Sequence, residues 1–360
     1  MTNGGIWDAT ALPVRPGLYI NFENAALANI AGGARGIVAL PIFTYTGGTA
    51  EAGKFYTFED VSDANNVLGA ANATQVKRVL EGGAKEVLVY AVPALSGDET
   101  EAERFDALLD AYESREFNVF VYPTVVDALV QTSTKAWTKR NREEGKHFAY
   151  VAGGTATEDA DIALGNARSV LLKDEYVVNL VTGAVLADGS EVQSADFAPY
   201  IAGLIAGTPI NKSVTYTELP IADVTKRLKN SEIKTALTSG SLVIVKDGNK
   251  VRIEQGITTD SDLSERGKIR VTRAKQAIAA DIPATARDRY IGKVDNNPAG
   301  QAALISAIKL YLETMEVNNV LMNPVVTLDP KRPSVGDSVY LEIAYTEVDS
   351  MERIFLTITV

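Results

Sequence analysis

An α/β fold is what this sequence predicts: a mostly parallel sheet flanked by helices, a smaller α+β C-terminal domain, and extended terminal arms. Three observations carry that expectation. Between residues 36 and 180, short apolar runs of strand length alternate with helical stretches of roughly 10–20 residues, the pattern of strands joined by crossover helices. From about residue 258 the order changes to two long helices followed by strand. Outside the alternating body, Leu18, Ile20 and Phe22 near the start and Ile354, Leu356 and Ile358 near the end alternate with other residues at the period of a strand. Residues 1–22 read as an arm. A chain of 360 residues suits two or three domains.

The elements follow in order. Gly4, Gly5, Pro13, Pro16 and Gly17 break any helix before the first strand-like run. Gly36–Ile42 reads as a buried strand, 72–82 as a helix stopped by Gly82-Gly83, and Glu86–Val92 as a strand. Glu99–Ser114 is amphipathic, with Phe105, Leu108, Leu109 and Tyr112 on one face. Phe117–Tyr122 reads as a strand, Asp127–Gly145 as a helix, His147–Ala152 as a strand, 158–172 as a helix and Tyr176–Leu180 as a strand. The stretch 186–190 (LADGS) marks a turn or small hairpin. A helix over Asp196–Gly207 leads to an expected strand over Ser213–Leu219. Ser241–Val245 and Lys250–Glu254 flank Asp247-Gly248-Asn249, a hairpin signal. Helices are expected at about 268–291 and 298–316, the second with Leu304, Ile308, Tyr311 and Met315 as one buried stripe. The tail reads as two strands, Ser338–Tyr345 and Met351–Val360, around a turn at 347–350.

Composition excludes several chemistries. The absence of cysteine removes disulfides, thiolate zinc sites, iron–sulfur clusters and cysteine nucleophiles. A single histidine, His147, removes sites that need two imidazoles. A net charge of −11 argues against nucleic acid as a partner. Met1–Thr10 has neither a basic segment nor an apolar one of the kind that directs export, and no apolar run is long enough to span a membrane, so synthesis in the cytosol and no membrane insertion are expected.

An α/β sheet raises the question of a nucleotide-dependent enzyme. The segment from Gly203 to Ser213 (GLIAGTPINKS) has a superficial likeness to a phosphate-binding loop. It fails because Gly207 and Lys212 are separated by four residues, among them Pro209, which has no N–H for phosphate. It also follows a helix rather than a strand. Gly32-Gly33-Ala34-Arg35-Gly36 precedes a strand and lacks the dinucleotide spacing. His147 lies next to a charged surface turn, with no strained serine elbow in the chain, and reads as a structural residue. Glu143 and Glu144 sit among Lys139, Arg140, Arg142 and Lys146 as a salt-bridged helix end. No aspartate cluster has calcium or magnesium spacing. The expectation is no cofactor, no metal and no catalytic residue. One charge feature remains: residues 265–293 hold eight cations, among them Arg266, Lys268, Arg270, Arg273 and Lys275, against three anions. These five are candidate contacts to an acidic partner or to a second copy of the chain.

Several segments resemble the contractile tail sheath proteins of bacteriophages and phage-tail-like bacteriocins, above all the short forms from phages and particles of Gram-positive bacteria. The main motif is Tyr200–Leu219 (YIAGLIAGTPINKSVTYTEL). Supporting segments are Arg15–Phe22 (RPGLYINF), Ala34–Ile37 (ARGI), Asp288–Lys293 (DRYIGK) and Ala307–Glu313 (AIKLYLE). They are colinear, so the resemblance covers nearly the whole chain. It implies a subtilisin-like topology without protease chemistry in an α/β core over 23–257, a smaller C-terminal domain over 258–360 that includes a strand arm at 351–360, and a structural role. In that role, copies stack as helically arranged hexameric rings around a tail tube, between a baseplate and a tail terminator, and contraction drives the tube through a bacterial envelope. The location implied is a virion or phage-tail-like particle, after synthesis in the host cytoplasm. The resemblance further implies that the terminal arms cross to neighbouring copies, and that the β-sandwich inserted in larger sheath proteins is missing here, because strand 86–92 leads straight to helix 99–114. The readings left beside it are a nucleotide-dependent enzyme and a non-contractile assembly protein.

Overall fold

The computed structural model describes residues 30, 32–33, 35–260 and 267–359. The chain runs β1 (Ile37–Ile42), β2 (Phe55–Phe58), α1 (Val61–Leu68), α2 (Thr74–Gly82), β3 (Glu86–Ala91), α3 (Glu101–Glu113), β4 (Val119–Val121), α4 (Ala128–Glu143), β5 (Ala149–Ala152), α5 (Ala156–Ala160), α6 (Ile162–Leu171) and β6 (Val177–Leu180). It continues β7 (Ala184–Val185), β8 (Glu191–Val192), α7 (Ser194–Gly207), β9 (Glu218–Leu219), β10 (Asp223–Val224), α8 (Asn230–Thr238), β11 (Ser241–Leu242), β12 (Ile244–Asp247) and β13 (Lys250–Ile253). The last elements are α9 (Ile269–Arg289), α10 (Pro298–Val317), β14 (Leu321–Leu328) and β15 (Leu341–Glu347).

The main sheet has seven strands in the order β11-β6-β5-β4-β1-β3-β2. Every pairing is parallel except that of the edge strand β2 with β3. Alternation along each strand feeds two cores. Val87, Val89, Val119, Val121 and Leu180 face one side, where Val76 and Val79 of α2 and Phe197, Ile201 and Ile205 of α7 cover them. Leu88, Phe120, Tyr150 and Val177 face the other, against Leu108, Leu109 and Tyr112 of α3 and Trp137 of α4. Burial on both faces is the condition under which a parallel sheet is stable. The segment between β3 and α3 is only nine residues long, with no inserted domain.

The helix crossing of α2 and α7 explains the motif that mimicked a phosphate loop. A Cβ on Gly203 would run into the carbonyl oxygen of Val79, and one on Gly207 into that of Gly83. The two glycines, four residues apart on one helix face, let the helix backbones touch. Lys212 is exposed, and its N–H closes a turn onto the Pro209 carbonyl at 2.9 Å. The segment is a packing element.

Several expectations need correction. The helix expected over 158–172 is two helices broken at Asp161, whose carboxylate accepts from the Ala163 N–H at 3.1 Å and caps α6. The strand expected over Ser213–Leu219 survives only as β9. Thr215 N–H bonds the Ser213 hydroxyl, Tyr216 has φ 57°, and Thr217 N–H turns back to the Val214 carbonyl, so local hydroxyl bonding displaces the ladder. The C-terminal hairpin pairs β15 with β14, antiparallel, and not with 351–360. Strand β14 contains Asn323 (φ 53°) and Pro324 at an irregularity between Met322 and Val325. Those residues disguise it in sequence. Strand β2 and helices α1 and α8 go beyond the sequence expectation.

Around the hairpin, Ala274, Ala277 and Ile278 of α9, Ile308, Tyr311, Leu312 and Met315 of α10, and Leu321 and Val326 of β14 form a separate core. Three of the four residues of the expected stripe on α10 are buried there and Leu304 packs against it.

Candidate assembly interface

Beyond β15 the chain divides into a clamped stretch and a bare one. Over residues 347–352 four side chains are held. Glu347 pairs with Lys275 at 3.0 Å, and Asp349 with Lys268 at 3.3 Å. The Ser350 hydroxyl accepts from Arg270 Nη1 at 2.9 Å. Glu352 accepts from Thr215 Oγ1 at 2.7 Å, from Gln255 Nε2 at 2.9 Å and from Lys268 Nζ, with Ser213 Oγ further off at 3.4 Å. Arg270 Nη2 also donates to the Asn319 carbonyl at 2.9 Å. Burial alone would raise the Glu352 carboxyl; the hydrogen bonds from Lys268, Thr215 and Gln255 outweigh it and hold the group below its ordinary value.

Over 353–359 no hydrogen bond or ion pair joins the segment to the other described residues. Ile354 is 72% exposed, Phe355 89%, Leu356 83% and Ile358 83%. Single exposed apolar residues are ordinary, but four within five positions form a contiguous apolar surface of the kind that marks a contact site. The strand expected there is not formed within the subunit, because a strand needs a ladder partner and 351–359 has none. Among the described residues the β14–β15 sheet has two strands, and Met322, Val325 and Leu328 are exposed on it.

The other candidate residues fall as follows. Leu18, Ile20, Phe22 and Arg266 lie outside the described residues. Lys268 and Arg270, expected on a solvated or contact-ready basic face, are 4% and 7% exposed. They turn inward because the anions that balance them, Asp349 and Glu352, arrive from the far end of the chain. Arg273 is half-buried, donates to the Ala206 carbonyl at 3.3 Å, and is pulled down to about 10 by burial and by the like charge of Arg35. Lys275 is half-buried against Glu347. Sequence reasoning missed Thr215, Gln255, Asp349 and Glu352. The one available signal was an unbalanced run of cations whose counter-ions had to come from elsewhere.

The polar clusters in the α/β body act as braces. Asp159 accepts from the N–H and the hydroxyl of Ser194, each at 2.6 Å, and fixes the start of α7; burial pushes its carboxyl up to about 6. His147 Nδ1 lies 3.1 Å from the Tyr176 hydroxyl, and burial, with Arg142 nearby, lowers the imidazole. Among the described residues no group of three or more His, Asp or Glu could hold a metal ion, and no helix is long and apolar enough to cross a membrane.

An α/β body with structural polar clusters, a bare apolar tail and a sheet of two strands among the described residues together point to a protein built to contact further chains. Comparison with known proteins identifies which. Residues 98–259 match the model of the phage tail sheath protein central domain, and residues 262–360 that of the phage tail sheath C-terminal domain. The chain belongs to the phage tail sheath family. It is 26% identical over 301 residues to the tail sheath protein of Clostridium phage phiCD119, covering 82% of this chain and 78% of that one. Its fold is similar to that of the sheath tail protein of Desulfitobacterium hafniense, with a TM-score of 0.70 at 22% identity, covering 92% of this chain and 100% of the other. It is similar too to the contracted helical sheath of the anti-feeding prophage, with a TM-score of 0.72 at 16% identity, covering 97% and 99%. The protein is a structural sheath subunit of a phage or phage-tail-like particle, not an enzyme, and it self-associates in a sheath.

Proposed function

We propose that this chain polymerises as stacked, helically arranged hexameric rings around a tail tube, and that contraction of the stack drives the tube through a bacterial envelope. The tube, a baseplate and a tail terminator are its partners, and the host cytoplasm is where it is made. The joints are the terminal arms. Leu18, Ile20 and Phe22 of one copy and Ile354, Leu356 and Ile358 of another add as strands to the β14–β15 sheet of a third. The observation that supports this is the tail at 353–359, apolar, exposed and without a partner among the described residues. A contact made head to tail, without closing on itself, builds a helical stack. Ladder hydrogen bonds do not depend on the angle between domain bodies, so such a joint survives the rotation that contraction requires. The free energy then lies in new contacts between copies, and no nucleotide is involved.

Contact between the basic stretch and the tube or a neighbour is the second part of the reading. With Lys268 and Arg270 buried, the surface left for it is Lys275 with the exposed Arg287 and Arg289 further along α9.

The test is a chain lacking 351–360, judged by negative-stain microscopy, size-exclusion chromatography and circular dichroism. A folded monomer that forms no sheath is expected. Sheaths of normal length from the truncated chain would remove the tail from the joint.

A further inference from the structure

The clamp over 347–352 holds a position that the tail joint alone does not demand. Four separate parts of the chain converge on it. They are the 213–215 turn and Gln255 from the α/β body, the first two turns of α9, Asn319 at the end of α10, and the root of the tail itself. Its centre is an ion pair between Lys268 and Glu352, with both side chains nearly closed to solvent. A buried pair is a poor source of stability against an apolar replacement, but it sets geometry when its remaining hydrogen-bonding capacity is filled. Here most of it is filled: Glu352 takes four donors, Ser213 Oγ at 3.4 Å being the longest, and Lys268 also meets Asp349, while Arg270 Nε is buried without a partner among the described residues. One residue later all bonding to the body stops.

We infer that this clamp fixes the root of the tail to the α/β body, so that the tail pivots only beyond Glu352, and that Lys268 and Glu352 are positioning residues for joining a second copy of the chain. The inference rests on the proposed tail joint. A short segment tethered at a fixed point samples a small volume next to its own subunit. Tethering raises its effective concentration at an acceptor sheet and fixes the direction of approach. Released at Glu347 instead, the tail nearly doubles in length and loses that direction. The turn at Ser213–Thr215 thereby gains a purpose: it is not a strand because its hydroxyls are turned toward Glu352.

The test uses the full chain with Lys268→Met and Glu352→Gln together, which removes both buried charges rather than stranding one. A second variant, Thr215→Val with Gln255→Leu, keeps the ion pair and removes two of its donors; it carries the test if the first does not fold. In the monomer, hydrogen exchange at the amides of 347–352 is expected to accelerate by at least about tenfold in the clamp variant, while β1 to β6 keep their protection. The thermal midpoint should stay near that of the parent chain and the yield of sheath should fall several-fold. Unchanged exchange over 347–352, or undiminished sheath yield in a variant with accelerated exchange, overturns the inference. The chain truncated after Glu352 separates the two readings. If it still assembles, the tail joint fails and this inference with it. If it does not assemble while the clamp variant does so normally, only the clamp fails.

Discussion

Both faces of the seven-stranded sheet are covered by helices of the same chain, whereas the β14–β15 sheet has helices on one face and exposed Met322, Val325 and Leu328 elsewhere. The large sheet is complete as a folded object. Its core includes Val38, Leu40, Phe120, Tyr150 and Leu180, all almost wholly buried. The small sheet is held by α9 and α10 on one face, and leaves apolar side chains of β14 bare. The difference separates residues that specify the subunit from residues that specify the assembly. Changes in the first group should act on folding, and changes in the second on polymerisation with the subunit intact.

The largest effect expected from one substitution is loss of assembly in Leu356→Asp. Leu356 is exposed in the isolated subunit, so its stability should stay within about 0.5 kcal/mol of the parent chain. In the joint, a charge would replace a side chain whose burial contributes roughly 1.5–3 kcal/mol at every copy of the contact. Thr357→Asp, on the opposite strand face, should be milder. Equal loss from both, seen by microscopy, would show that the tail does not bind as a strand.

Gly203→Val probes the other side of the comparison. Its branched side chain must displace the Val79 carbonyl at the α2–α7 crossing. We expect destabilisation of about 1–3 kcal/mol or more in denaturant titrations, with assembly reduced only in proportion to the folded fraction. His147→Ala and Lys212→Ala should leave sheath formation largely intact. A nucleotide hydrolysis activity lost with Lys212 would overturn the structural reading.

Most main-sheet strands and the helices α2, α3, α4 and α7 were legible because each satisfies its own local rules. Phe117–Tyr122 alternates between two cores, and α3 carries Leu108, Leu109 and Tyr112 on one buried face. The family motif was legible as a pattern, but its reason was not: Gly203 and Gly207 make sense only once α2, more than a hundred residues earlier, lies against them. The clamp was illegible for the same cause. Lys268 and Glu352 are 84 residues apart, and a run of cations looks identical whether it faces water or a returning tail. Strand β14 was hidden by Asn323 and Pro324, whose local preferences oppose a strand that the hairpin partner nevertheless imposes. Long-range pairing decided every one of these cases.

The smallest effects expected are in pH dependence, where the two regions should differ in sign. In the α/β body, burial raises the Asp159 carboxyl to about 6, from an ordinary 3.8. The folded state therefore binds a proton more tightly than the unfolded chain. Stability should fall as pH rises from about 4 to about 6 and then level off. At the clamp, hydrogen bonds from Lys268, Thr215 and Gln255 overcome burial and lower the Glu352 carboxyl from an ordinary 4.5. Its contribution is present above about 4.5 and is lost as pH falls through the folded value. Difference curves of unfolding free energy against pH, parent chain minus Asp159→Asn and parent chain minus Glu352→Gln, isolate the two groups. The first should slope downward between pH 4 and 6. The second should rise from low pH toward 4.5 and be flat above it. A second curve that is flat at low pH would mean that Glu352 gains nothing from its donors in the folded subunit, and that the root of the tail is held by Glu347, Asp349 and Ser350.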